Sequence, residues 1–100
     1  MTRMVKILTL SRVERLAILL EELGEAQQVV GKILRHGYHS QHPDGGPDNA
    51  DLLEIELGDV LSSIDLLCEA GDLDQGAIDH ARREKPARRA PYLHHQERSP

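Results

Sequence analysis

The sequence predicts an all-α fold: an antiparallel helical bundle whose four-helix core is completed by dimerisation. Apolar residues recur at three- and four-residue intervals through two long stretches, separated by a loop rich in glycine and proline. The core palette is aliphatic, with 39% hydrophobic residues and only two aromatics, both tyrosine, a set that suits helix packing. The first stretch is apolar around most of its girth, and a helix of that kind is covered on more than one side. One chain of 100 residues offers only two further helices, so the missing cover is a second copy, joined through the first and second helices.

Taken in order, Ser11 and Glu14 form a capping box that opens a first helix over residues 12–36. Leu16, Leu20, Leu23, Gln27 and Val30 mark one side, and Ile18, Val29 and Ile33 another. Glu14, Glu21, Gln28, Lys32 and Arg35 form the solvent stripe, and Gly37 stops the helix. Residues 39–47 are a loop, punctuated by Pro43, Gly45, Gly46 and Pro47. Asp48 or Asn49 caps a second helix, favoured by Asp51 in its first turn, that runs to about Ala70 and stops at Gly71. Asp72 with Gln75 reads as another capping box, opening a third helix that Pro86 ends at Lys85. Residues 87–92 hold at most a turn of helix, and residues 4–10 a short helix or an extended arm. The organisation is thus one domain over residues 1–93 with a disordered tail over 94–100.

Net charge is −5, unevenly spread. Residues 11–79 hold fifteen acids against four Lys/Arg, and residues 80–100 two acids against six. An acidic body argues against a nucleic-acid surface. No apolar run approaches the ~20 residues that span a membrane, and no apolar region of a secretory signal is present. The single cysteine, Cys68, excludes an internal disulfide and reads as a small core residue, which leads to the expectation of a cytoplasmic protein.

One phrase occurs twice, Glu22-Leu23-Gly24-Glu25 and Glu56-Leu57-Gly58-Asp59. Residues three apart share a helix face, so each phrase presents two carboxylates together. Their neighbours on that face are apolar: Ile18, Leu19, Ala26, Val29 and Ile33 around the first, Leu52, Leu53, Val60 and Leu67 around the second. Four acids aimed at a core repel and desolvate one another unless a cation compensates them. Oxygen ligands without histidine suit Mg²⁺, with Mn²⁺ also possible. Gly24 and Gly58 would let another helix approach closely.

These residues resemble a known family. Glu21-Glu22-Leu23-Gly24-Glu25 fits an EExxE motif and Glu56-Leu57-Gly58-Asp59 an ExxD motif. On successive helices the pair is similar to the MazG-like, all-α nucleoside triphosphate pyrophosphohydrolases, over about residues 16–85. The resemblance implies a helical homodimer or homotetramer that uses Mg²⁺ to split a (d)NTP into (d)NMP and pyrophosphate in nucleotide-pool control. It implies that Glu22, Glu25, Glu56 and Asp59 are the metal ligands and catalytic acids, with Glu21 outside that set. The family's third element, a Lys and an Asn on the next helix, is only loosely matched by residues 80–85. Lys32, Arg35, Arg82 and Lys85 are the candidates to meet the phosphates, and Tyr38 the candidate to stack on the base. The alternative is a non-catalytic helical interaction module that retains the acidic metal site.

Weaker signals point elsewhere. His36, His39 and His42 are spaced by three, but their glycine- and proline-rich setting without cysteine fits a polar loop better than a zinc site. Residues 44–49 lack the spacing and terminal Glu of a calcium loop.

Overall fold

The computed structural model describes residues 8–97. Three helices follow one another, α1 (Leu10–His36), α2 (Asn49–Glu69) and α3 (Gln75–Arg89), and a 3-10 turn over Ala90–Tyr92 ends the ordered elements; no strand occurs among the described residues. The all-α expectation is met. Residues 4–7, part of the ambiguous N-terminal segment, and 98–100 lie outside the described residues, while 94–97 are irregular.

The helix ends show which polar groups won the competition for backbone N–H donors. Thr9, in extended conformation, caps α1 by accepting from the Arg12 N–H at 3.2 Å. The helix therefore starts before the box expected at Ser11, which sits inside the first turn. Gly37 ends α1 with φ 89°, a left-handed value that glycine adopts without strain, and donates its N–H to the Ile33 carbonyl. At α2 the cap is Asp48, in a reciprocal box with Asp51. Asn49 is engaged otherwise: its buried side-chain amide donates to the Gly37 carbonyl at 3.1 Å. Backbone bonds from Asn49 to Ser40 and from Ala50 to Tyr38 complete the return of the chain.

Two expectations about the third helix fail. Its cap is Asp74, which accepts from the Ala77 N–H at 2.9 Å, because Asp72 is already committed. The Asp72 carboxylate accepts from Arg15 Nε at 2.6 Å, Arg15 Nη2 at 3.0 Å and Arg12 Nε at 3.2 Å. Pro86 also does not stop the helix, which continues to Arg89. Proline removes one N–H, but the helix is exposed from His80 onward, so the bereft carbonyl one turn earlier faces water.

Gly37 meets Asn49 at one end and Arg15 meets Asp72 at the other, so α1 and α2 form an antiparallel hairpin. Its core is slender: Ala26 and Val29 from α1, Val60 and Leu67 from α2, with only Leu67 wholly enclosed. Helix α3 has no substantial packing on the hairpin. Accordingly the chain exposes 8695 Å², against about 5,700 Å² for a folded monomer of this mass. Its radius of gyration is 18.2 Å, against roughly 13 Å for a compact 100-residue domain. Gly24 and Gly58 face open space within the chain, where an added Cβ would meet nothing within 4 Å.

The Arg12–Arg15–Asp72 clamp closes the open end of the hairpin, and the two guanidinium groups hold the Asp72 carboxyl below its ordinary range. Asp72→Asn is expected to lower the thermal midpoint by a few degrees at pH 7. A depressed acid stabilises the fold above its unfolded-state pKa and loses that contribution as pH falls through the native value. The gap between parent and variant should therefore close below about pH 4, measured by thermal melts followed by circular dichroism.

Candidate metal centre

Helical spacing puts Glu22 and Glu25 on the face of α1 that meets α2, and Glu56 with Asp59 on the answering face. The antiparallel crossing then brings the two pairs to the same height. Glu22, Glu56 and Asp59 each offer a carboxylate oxygen, and these lie within 4.8 Å of one another. Glu22 and Glu56 are half-buried, and Asp59 is exposed at the mouth. Glu25, also half-buried, stands beside both glutamates and acts on the proton affinity of each.

The electrostatics of the cluster are those of acids held together without a cation. Burial raises the Glu22 pKa first, followed by the charges of Glu25 and Asp59. For Glu56 burial again comes first, then proton sharing with Glu25 and the charges around it. One oxygen of each glutamate, Oε2, is enclosed and has no hydrogen-bond partner. Carboxylates only accept hydrogen bonds, so when all are ionised none can satisfy another. Among the described residues no Lys or Arg forms an ion pair with any of the four.

The cluster opens into a groove of about 460 Å³ lined by Ile18, Glu22, Asp59, Ser62, Ser63 and Glu69, among others. That volume lies within the range of small-ligand sites. Ser62, Leu66 and Glu69 escaped the sequence reading, although they follow Asp59 at three, seven and ten positions and so share its face. Ser63 is buried and returns its hydroxyl to the Asp59 carbonyl at 2.9 Å, which removes it as a free donor to the groove.

The basic and aromatic candidates lie elsewhere in the chain. Lys32 borders a second recess with His36, Gln41, His42 and Asn49. It stands about 10 Å of helix rise beyond Glu25. Arg35 lies along the exposed side of α1 near Gly31, and Tyr38 is more than half exposed. Arg82 faces Asp79 on its own helix at 3.5 Å, and Lys85 is exposed on α3. None of the five lines the acidic groove. Two of the three spaced histidines have separate acidic partners: His39 Nδ1 lies 3.0 Å from Asp48, and His42 Nδ1 3.5 Å from Asp44. Cys68 is half-buried, and burial with the surrounding acids raises its thiol pKa, which makes it a weak nucleophile.

With this geometry in view, no protein-family model matches the chain, and no curated protein or solved structure resembles it significantly.

Glu22 and Glu56 reverse the usual carboxylate behaviour. Their native pKa values are raised, so the fold binds more protons than the unfolded chain, and their contribution falls as pH rises through the native values. In metal-free buffer the thermal midpoint should decline as pH rises above the ordinary glutamate value of about 4.3. Glu22→Gln or Glu56→Gln, which removes one charge from the cluster, should flatten that decline and raise the midpoint at pH 7.5. A midpoint at pH 7.5 lowered by either substitution would contradict this account.

Proposed function

We propose that the chain is a Mg²⁺-dependent nucleoside triphosphate pyrophosphohydrolase of the MazG-like kind, a cytoplasmic homodimer or homotetramer that converts a (d)NTP to (d)NMP and pyrophosphate. The observation that carries the reading is the meeting of Glu22, Glu56 and Asp59 within 4.8 Å, with two enclosed oxygens left unpartnered. A cluster of hard oxygen donors with no cation of its own fits a divalent ion of the magnesium type. Glu22, Glu56 and Asp59 would hold it, with Glu25 alongside. Such an ion supplies charge neutralisation of the phosphates and Lewis acidity toward them.

The residues of the chain have definable tasks in that reaction. A triphosphate carries about four negative charges, and the anionic groove admits it only when its acids are compensated. One of the four carboxylates would accept the proton from an attacking water. Glu25 neighbours both Glu22 and Glu56 and would complete the acidic set. Lys32, Arg35 and Tyr38 all lie beyond the acids in one direction along α1, so a bound nucleotide would present to them either its outer phosphates or its base. Arg82 and Lys85 on the unpacked α3 reach a phosphate only if that helix lies over a groove.

The separation of the basic residues from the groove favours one other reading, a helical interaction module that keeps the acidic cluster without turnover. Substrate hydrolysis decides between them. With Mg²⁺ and each of the common NTPs and dNTPs, the enzyme reading expects NMP and pyrophosphate on chromatography. A nucleoside diphosphate would refute attack at the α-phosphorus, and no product from any of them would favour the module. Glu22→Gln, Glu25→Gln, Glu56→Gln and Asp59→Asn are each expected to lower turnover at least about 100-fold, in line with loss of a ligand or base. Near-normal activity in two of the four would misplace the site.

A further inference from the structure

We infer that the C-terminal half of α3, with the turn that follows it, is a docking surface for the phosphodiester backbone of a single-stranded nucleic acid. From Arg82 to Arg89, five of eight residues are Lys or Arg and only Glu84 is acidic. Arg82 faces Asp79 at 3.5 Å. Among the described residues Arg83, Lys85, Arg88 and Arg89 form no ion pair, although Glu84 stands one turn before Arg88. Arg82, Lys85 and Arg89 recur at intervals of three and four and so share a face. Arg88 and Arg89 in the last turn already answer the negative end of the helix dipole, and three further cations exceed that need. Arg83, Arg88 and Arg89 also have no task in the hydrolase reading.

What α3 lacks helps to name its occupant. Residues 79–89 hold Ala81, Pro86 and Ala87 as their only apolar members, too little to anchor a helix in a lipid surface. A nucleic-acid strand needs no apolar face: its regular charge meets regularly placed cations, and its bases stack on an aromatic ring. Tyr92 supplies that ring, in the 3-10 turn three residues past Arg89, where it is 79% exposed. The rise from Arg82 to Arg89 is about 10 Å, the length of about four phosphates at the roughly 3.4 Å spacing of a stacked strand. A duplex would keep its bases from the ring and bring more charge toward the acidic hairpin.

The hairpin acids do not cancel this surface. Helix α3 has no substantial packing on the hairpin, and every described residue from His80 onward is exposed. Arg88 and Arg89 stand about 20 Å of helix rise beyond Gln75, where α3 begins. Charges are screened over about 8 Å at physiological ionic strength, so repulsion from the hairpin fades before it reaches them. The charge argument against nucleic acid thus applies to the hairpin and not to α3.

This surface is separate from the acidic cluster, so its test uses neither a divalent ion nor a nucleoside triphosphate. The full chain is titrated in metal-free buffer into end-labelled oligo(U) and oligo(dT) of about twelve nucleotides, followed by fluorescence anisotropy. Either oligomer should bind at micromolar protein in about 50 mM salt, with a log–log salt slope near −3 for about four engaged cations. A preference between the two shows whether the sugar is also read. Arg83→Gln, Arg88→Gln and Arg89→Gln together should lower affinity at least about tenfold and flatten the slope to about −1. The same three positions changed to Lys should stay within about threefold of the parent, which separates loss of charge from loss of the helix. Tyr92→Leu should lower affinity at least about fivefold with the slope unchanged. No binding to either oligomer overturns the proposal, as does a triple Gln variant that binds like the parent. Tighter binding to a duplex of the same length, to phosphatidylglycerol vesicles or to polyglutamate also overturns it.

Discussion

The contact between α1 and α2 is the interaction on which everything else depends, and it carries a built-in conflict. Hydrophobic burial holds the hairpin together through a short row of side chains, chiefly Ala26, Val29, Val60 and Leu67. Within that row the same two helix faces also bring carboxylates together. Each turn of helix that stabilises the contact by apolar packing thus also presses acids toward one another. The fold tolerates this because Asp59 stays at the exposed mouth and Glu22 and Glu56 are half-buried, so solvent screens part of the repulsion.

The ends of the hairpin are secured by polar chemistry where the apolar row gives out. At one end the buried Asn49 amide ties the start of α2 to Gly37, and the Asp48–Asp51 box satisfies the first donors of the helix. At the other, Asp72 gathers both Arg12 and Arg15. These clamps fix the vertical register of α1 against α2, and that register sets the height at which the acids meet. A slip by one turn, about 5.4 Å, would separate Glu22 from Glu56 and Asp59. Residues remote from the groove therefore govern its geometry.

A slender hairpin with α3 standing off it leaves more surface than a molecule of this size usually exposes. The surplus is sorted by chemistry: one flank is acidic and grooved, the other is aliphatic. Association through the aliphatic flank would supply the apolar burial that a single chain lacks, while leaving the groove open to a ligand.

The sequence by itself determined the helices, the glycine stops at Gly37 and Gly71 and the pairing of acids on each helix, because these follow from local periodicity and backbone conformational preference. It also carried the apolar side of α1, since alternate spacing of three and four survives in any helix. The choice of caps was not legible locally. Ser11 and Asp72 have the right residue types, but the helix begins two residues earlier, where Thr9 caps it, and Asp72 was drawn to two arginines sixty and fifty-seven positions away. Pro86 broke no helix because the residues around it are exposed, so the carbonyl left without its partner faces water. Only tertiary structure decided that Glu22, Glu56 and Asp59 share one small volume, that Ser62 and Glu69 join their groove, and that Lys32, Arg35, Tyr38, Arg82 and Lys85 stand apart from it. Such meetings depend on the register of two helices, a non-local property that no single stretch of sequence encodes.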